Sequence, residues 1–154
     1  MANYYGTART NYFDVKNLKE FAESMNRFDV EIIFKDKYYK DEELKEVLAS
    51  EEPAQVGLYS TDPDSGTWPW IDDENPDGIY SPEEVDMSFY EIVAQYLTED
   101  AVAIFQEVGS EKARYLVGYA IAIRHDRQTL DVSLNDIYEK VKNEWGKDPT
   151  LCEY

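Results

Sequence analysis

The most constraining feature of the sequence is a long central stretch without a basic residue. Residues 46–111 contain seventeen Asp and Glu and no Lys, Arg or His. The two flanks carry the other sixteen acids against fifteen Lys and Arg, so nearly all of the net charge of −18 comes from the middle of the chain. A concentrated field of one sign costs stability through self-repulsion, but it attracts cationic partners and repels nucleic acid. The charge distribution therefore points to a basic partner.

Composition indicates one folded domain over residues 1–154. The chain has 154 residues, 43% of them hydrophobic, which is enough to bury a core of ordinary size. An aromatic content of 14% is atypical of a disordered acidic tail. The amino terminus has no apolar run of signal-peptide length, no stretch of the chain has the length of a membrane span, and the single cysteine, Cys152, permits no intramolecular disulfide. We expect a cytoplasmic protein.

The spacing of apolar residues predicts alternating strands and helices in the first half of the chain. Asn17 is a plausible cap for the first helix, and Pro69 restricts the last strand to a sheet edge. The predicted elements are a strand within 4–14, a helix from residue 18, a strand over 28–34, a helix over 41–50, a strand over 54–60 and a short strand over 67–71.

In the second half, Ser81 to Glu84 has the composition of a reciprocal capping box and predicts a helix that continues to Leu97. Apolar runs at 102–108 and 114–123, joined by turn residues at 109–112, predict a hairpin. A second turn at 125–127, a strand over 129–132 and a final helix capped by residues 133–136 complete the chain. Strands joined mostly by short turns predict an α+β fold, with a largely antiparallel sheet and about four helices packed mainly on one face.

Within the acidic stretch, residues 73–84 resemble the calcium-binding loop of an EF-hand. The matching side chains place oxygen ligands at the spacing that the ion prefers, but no entering helix is predicted before the loop, and Glu84 is also explained as a capping residue. We therefore expect no cofactor, and calcium is the alternative. The candidate metal ligands are Asp73, Asn75, Asp77, the carbonyl of Ile79 and Glu84.

No pattern for catalysis is found in the sequence. The sole histidine, His125, falls in a predicted turn, and neither a Gly-x-Ser-x-Gly nor a His-Glu-x-x-His motif occurs. We therefore expect no enzyme activity and name no catalytic residue.

Binding to nucleic acid through a basic patch is excluded by the charge, but the inverse function fits. Regularly placed carboxylates on a rigid scaffold, with aromatic side chains between them, can occupy the basic groove of a nucleic-acid-binding protein as a mimic of DNA or RNA. The candidate partner-binding residues are Asp62, Asp64, Trp68, Trp70, Asp72, Asp73, Glu74, Asp77, Tyr80, Glu83 and Asp86.

The chain also resembles a group of small acidic proteins carried by bacterial phages, plasmids and other mobile elements. The resemblance rests on NYYGTARTNYF at 3–13, EVGSEKARYLVGYA at 107–120, Trp68-Pro69 and VSLNDIY at 132–138. It implies an anti-restriction or anti-CRISPR inhibitor that blocks the basic surface of a host defence protein, such as a CRISPR effector or a restriction enzyme, in the bacterial cytoplasm. A calcium-binding accessory module and a structural or scaffolding protein of a mobile element are the alternatives.

Overall fold

A computed structural model describes residues 4–152 and has an α+β architecture, as the sequence predicts. A seven-stranded antiparallel sheet is combined with four α-helices and one 3-10 turn. The strands are β1 Tyr5–Thr10, β2 Phe13–Val15, β3 Val30–Ile33, β4 Ala54–Ser60, β5 Val102–Glu111, β6 Tyr115–Arg124 and β7 Thr129–Ser133. The helices are α1 Leu18–Met25, α2 Asp41–Leu48, α3 Phe89–Ala94 and α4 Asp136–Trp145, and the 3-10 turn is Glu84–Asp86.

The sheet is ordered β2-β4-β1-β5-β6-β7, and β3 pairs with β4 outside this path. The hairpins β5–β6 and β6–β7 extend it beyond β1, and β7 forms its edge. Because side chains of directly paired residues lie on the same side of a sheet, the register assigns every residue of these strands to one of two faces. Phe105, for example, is paired with Thr10 and Ile121, and the three residues share one face.

Helices α1 and α3 cover that face, which we call the inner face. Phe21 and Met25 of α1, and Phe89 and Ile92 of α3, are fully buried, and Phe89 contacts Phe105 of the sheet. Asn17 caps α1 by accepting the backbone N–H of Glu20 at 3.1 Å, as predicted. In contrast, α2 and α4 bury none of their residues completely. No helix within residues 4–152 is long and apolar enough to cross a membrane.

Three of the predicted element boundaries are wrong. The expected helix from Ser81 to Leu97 is interrupted. Ser81 and Glu84 do exchange their reciprocal hydrogen bonds, at 2.9 and 3.3 Å, but the turn that they cap ends at Met87, whose backbone is extended. A second capping box, formed by Ser88 and Glu91, then begins α3. Two competing start signals thus divide the segment, and the buried Met87 lies between them with an extended backbone.

The other two corrections concern strands. Residues 67–71 form no strand, because Trp68 turns into the core. The turn expected at 109–112 lies further along, because Gly109 and Ser110 remain paired within the β5–β6 ladder. Lys112, at φ 52°, lies in the connection that follows.

Candidate functional site

Most candidate binding residues lie in one irregular segment, residues 61–87, which we call the acidic segment. It connects β4 to α3 and contains only the 3-10 turn as regular structure. Its first attachment is Trp68, whose indole is 6% exposed and packs against Phe89 and Phe105, with ring centroids 5.9 and 5.2 Å away. The prediction of Trp68 as a partner contact is therefore wrong, since its side chain is part of the core. Trp70, by contrast, is 79% exposed.

The start of the acidic segment is held by hydrogen bonds. The Asp62 carboxylate accepts the backbone N–H of Asp64 at 2.9 Å and the Ser65 hydroxyl at 2.7 Å. These bonds, led by the one from Ser65, lower the pKa of Asp62. The carbonyl of Ser65 accepts the backbone N–H of Gly6 at 2.7 Å, which attaches the turn to β1. Gly66 completes it at φ +67°, close against the Gly6 carbonyl, where a side chain would not fit.

The far end of the acidic segment is attached by Arg27, which follows α1. Its guanidinium donates to both carboxylate oxygens of Glu84, at 2.8 and 2.9 Å, and to the carbonyl of Ile79 at 3.2 Å. Both side chains are largely buried, with 21% and 11% exposure. The hydrogen bonds from Arg27 lower the pKa of Glu84, and the bond to Glu84 raises the pKa of Arg27.

Between these two attachments, Tyr80 and Asn75 give the segment its shape. The Tyr80 ring stacks on Phe28 at 6.0 Å, and Arg27 lies 5.7 Å from its centroid. The side chain of Asn75 accepts the backbone N–H of Tyr80 at 3.1 Å and donates to its carbonyl at 2.9 Å. Tyr80 is therefore half-buried by the protein's own residues, and only part of its ring is available to a partner.

The same contacts use the side chains that the calcium-loop pattern requires. Glu84 is bonded to Arg27, the Ile79 carbonyl also accepts from Arg27, and the Asn75 amide is bonded to Tyr80. Only Asp73 and Asp77 keep free carboxylates. Within residues 4–152, no group of three or more His, Cys, Asp and Glu side chains is arranged to hold a metal ion. The described residues thus do not fit the ion in this conformation.

The remaining candidate carboxylates are not compensated by basic side chains. Among residues 4–152, Glu84 is the only acid of the acidic segment that forms an ion pair. Asp62, Trp68, Trp70 and Tyr80 line one groove of about 370 Å³, together with Arg27. Of the other candidates, Asp64 lies in the turn that Asp62 caps, and the rest lie in the turns on either side of Asn75 and near the 3-10 turn. All but the half-exposed Asp72 are exposed; they are Asp64, Asp72, Asp73, Glu74, Asp77, Glu83 and Asp86.

A further attachment of the acidic segment was missed by the sequence analysis. Glu107 of β5 is 5% exposed and accepts hydrogen bonds from Tyr4 at 3.1 Å, from Tyr119 at 2.8 Å and from the backbone N–H of Trp68 at 3.4 Å. Tyr119 is bonded in turn to Tyr90 at 3.1 Å. The signal was present in the alternation of β5, because Glu107 follows Ala103 and Phe105 on the inward positions.

The tyrosines around Glu107 act as hydrogen-bond donors. Burial raises the pKa of Tyr4 to about 12, with a further contribution from the Glu107 carboxylate. Burial also raises the pKa of Tyr119, and its bonds to Tyr90 and Glu107 add to the effect. Both phenols therefore keep their protons at neutral pH and can satisfy the buried carboxylate. The cluster connects the N-terminal end of the described chain, β6 and the acidic segment.

Comparison with known proteins gives no match: no family model fits the sequence, and the curated proteins and the solved structures yield no similar chain. The assignment of a function therefore rests on the geometry described above.

Proposed function

We propose that this protein is an acidic inhibitor that binds the nucleic-acid-binding surface of a bacterial defence protein through residues 61–87. The proposed partner is a basic protein such as a CRISPR effector or a restriction enzyme. The observation that carries the proposal is a segment with eight carboxylates outside any ion pair among residues 4–152, attached to the core at Trp68 and at Glu84.

The attachments matter because a flexible acidic chain loses conformational entropy when it binds. A segment whose backbone is already fixed avoids most of this cost, which is the general advantage of preorganisation. Its carboxylates can then complement the cations that ordinarily hold phosphates. Trp70 adds an exposed aromatic side chain next to the acids, and tryptophan is the residue type most enriched among energetically dominant contacts.

The proposed inhibition is competitive and non-covalent. Because the attraction acts between solvent-exposed charges, association is expected to slow and weaken as salt is added. Nucleic acid and the inhibitor would exclude each other from the same basic surface. The protein would be active in the cytoplasm of the bacterial host.

Competition for DNA provides the test. A labelled duplex is bound to each member of a panel of purified CRISPR effectors and restriction enzymes, and its displacement by this protein is titrated. A variant that neutralises four acids of the segment is compared with a control that neutralises four exposed acids of α2 and α4, so that both have a net charge of −14. The variant is Asp72→Asn, Asp73→Asn, Glu74→Gln and Asp77→Asn, and the control is Glu43→Gln, Glu46→Gln, Glu139→Gln and Glu144→Gln.

We expect the segment variant to displace DNA at least about fivefold less effectively, since four exposed charge pairs contribute about 1–4 kcal/mol together. The control should remain within about twofold of the wild type because its charges lie outside the proposed contact. If both variants lost the same share of their ability to displace DNA, the effect would depend only on net charge, which contradicts a defined contact. If the protein displaced DNA from none of the panel members, the scaffolding alternative would be favoured.

A further inference from the structure

Over β1, β5, β6 and β7, the side of the sheet opposite α1 and α3, which we call the outer face, has large exposed apolar side chains, and within residues 4–152 Leu134 and the start of α4 lie against one end of it. Along β5 the inward residues are buried, whereas Val102, Ile104 and Val108 point outward with 41, 36 and 60% exposure. The register continues this surface across β6 and β7, where Leu130 is 79% exposed and Val132 is 53% exposed. An antiparallel sheet with one solvated face normally carries polar residues there. The apolar character of this face therefore requires an explanation.

This outer face also contains no acid, although the chain has 33 of them; the acids on the same side of the sheet, Asp14 and Glu31, lie on β2 and β3 beyond β1. Glu107, Glu111 and Asp131 all lie at inward positions of the register, beside Tyr119, Tyr115 and Ile121. The outward positions of β1, β5, β6 and β7 are Tyr5, Thr7, Arg9, Val102, Ile104, Gln106, Val108, Ser110, Leu116, Gly118, Ala120, Ala122, Arg124, Leu130 and Val132. In a protein of net charge −18, this is a surface suited to removal from water.

We propose that this outer face is a homodimer interface, in which a second copy of the chain packs its own outer face against it. The proposal does not depend on the function of the acidic segment.

The area agrees with the size of a stable dimer. Leu116, Leu134 and Ile137 extend the patch toward α4, and each is 55–57% exposed. Scaling roughly 100 Å² per fully exposed aliphatic side chain by the exposed fractions gives about 400 Å² of aliphatic surface per copy. Two copies would bury about 800 Å², and a standard interface of about 1,200–2,000 Å² is about 60% apolar. The face thus supplies the apolar area that a dimer of standard size needs.

The charge distribution favours a second copy of the chain, over a basic partner or an anionic membrane, as the occupant of the outer face. A basic partner would find no carboxylate on the outer face, and an anionic membrane would be repelled by the rest of the chain. In a two-fold dimer the same patch meets itself, so an acid-free surface is matched with an acid-free surface. Repulsion between the distant acids is largely screened, because the Debye length is about 8 Å at physiological salt.

The shape of the face is compatible with such a contact. A groove of about 510 Å³ crosses it between Val108 and Val132, with Gly118 in its floor and Leu134 at its side. The Leu134 side chain lies where a Cβ on residue 118 would be, 2.9 Å from that position. Leu130 projects from the edge strand of the same face. The face thus has both a recess and a projecting side chain, as packing of one sheet on another requires.

Dimerisation through this face would leave both acidic segments accessible. Trp68 attaches the segment to Phe105, whose side chain lies on the inner face. The two acidic segments of a dimer would therefore be directed away from the interface. A dimer could contact two basic partners, or two sites on one partner.

Sedimentation equilibrium of the full chain tests the proposal over concentrations from micromolar to several hundred micromolar. We expect a dimer of twice the monomer mass of 17.9 kDa, with an association that strengthens as salt is added. The variant Leu130→Glu, Val132→Glu should raise the dissociation constant at least about tenfold, because acids of the two copies would then face each other. Its control, Tyr38→Glu, Trp70→Glu, adds the same charge at two side chains that are each 79% exposed and lie outside the face, and should still dimerise.

A wild-type monomer at every concentration would overturn the proposal and assign the face to a different protein. A dimer that survives in the Leu130→Glu, Val132→Glu variant would also overturn it, since the contact would lie elsewhere. If that variant fails to fold, hydroxyl-radical footprinting of the wild type replaces it. Leu116, Leu130 and Val132 should then lose reactivity as the concentration rises, whereas Tyr38 should not, and unchanged reactivity of all four contradicts the interface.

Discussion

Replacing Arg27 with methionine should lower the free energy of unfolding by about 3–5 kcal/mol, because the carboxylate of Glu84 would stay buried without a cation. The Glu84 side chain is 11% exposed, and Arg27 supplies hydrogen bonds to both of its oxygens. The guanidinium carbon of Arg27 lies over the rings of Phe28 and Tyr80, and methionine places an unbranched apolar side chain in the same space. The loss therefore reports the ion pair and not a large cavity.

Urea denaturation followed by tryptophan fluorescence measures this change, because Trp68 moves from the core into water. Urea is uncharged and leaves the ion pairs unscreened. In a thermal scan the same loss corresponds to a decrease in Tm of roughly 6–20 °C for a chain of this length. The matched control is Lys19→Met, which removes an exposed pair with Glu51 at 3.6 Å and should cost less than about 1 kcal/mol.

The pH dependence gives the expected sign independently. In the wild type the folded-state pKa of Glu84 is lowered, so its stabilising contribution is present above its ordinary value of 4.5 and is lost as the pH falls. Without Arg27, burial would raise that pKa instead, and protonation would relieve the penalty. The stability difference between wild type and Arg27→Met should therefore shrink as the pH is lowered from 7 toward 4. Repulsion among the other acids affects both proteins and cancels in the difference.

Two results would refute this reasoning. The first is a cost for Arg27→Met no greater than that for Lys19→Met. The second is a double variant, Arg27→Met with Glu84→Met, that is no more stable than Arg27→Met alone. Removing both charges eliminates the buried unpaired carboxylate, so most of the lost stability should return.

Two further substitutions test other attachments of the acidic segment. Gly66→Ala should lower the free energy of unfolding in urea by several kcal/mol, because its Cβ would overlap the Gly6 carbonyl. Gly78→Ala is the control, since Gly78 has a similar φ of +63° but open space around it, and it should cost only about 1 kcal/mol. Equal costs would contradict the tight approach at Gly66. Tyr119→Phe should lower the free energy of unfolding by about 1–3 kcal/mol, because it removes a hydrogen-bond donor from the buried Glu107. The control Tyr115→Phe, at a side chain that is 39% exposed, should have no measurable effect. An unchanged stability of Tyr119→Phe would show that Glu107 does not need this bond.

The sequence predicted the elements whose signals are local. The apolar spacing of α1 with its Asn17 cap, the strand Ala54–Ser60 and the strands of the C-terminal meander all appear in the structure, some with shifted ends. These segments depend on neighbours three or four residues away in a helix and on alternation in a strand. The helix expected from Ser81 failed because two capping boxes stood close together, and local chemistry does not decide between them.

The attachments of the acidic segment could not be predicted because they join distant parts of the chain. Arg27 and Glu84 are separated by 57 residues, and the Trp68 N–H and Glu107 by 39. Whether a tryptophan in an acidic loop is exposed depends on the space left between Phe89 and Phe105, which the sequence does not specify. Trp68 and Trp70 were therefore equivalent in sequence and differ completely in exposure.

The exposure of the outer face also depends on distant parts of the chain, but one local feature of the sequence indicates it. Residues 102–105 and 120–123 are apolar at consecutive positions, which is typical of strands buried on both sides. Within residues 4–152 the helices cover the inner side of these strands. The outward apolar side chains of β5 and β6 therefore remain exposed in a single copy of the chain. The two proposals then predict opposite responses to salt, because contact through carboxylates weakens with screening while association of two −18 chains through an acid-free face strengthens. Two salt series on the wild type, one with the chain alone and one with a basic partner, therefore separate them, and either can fail without the other.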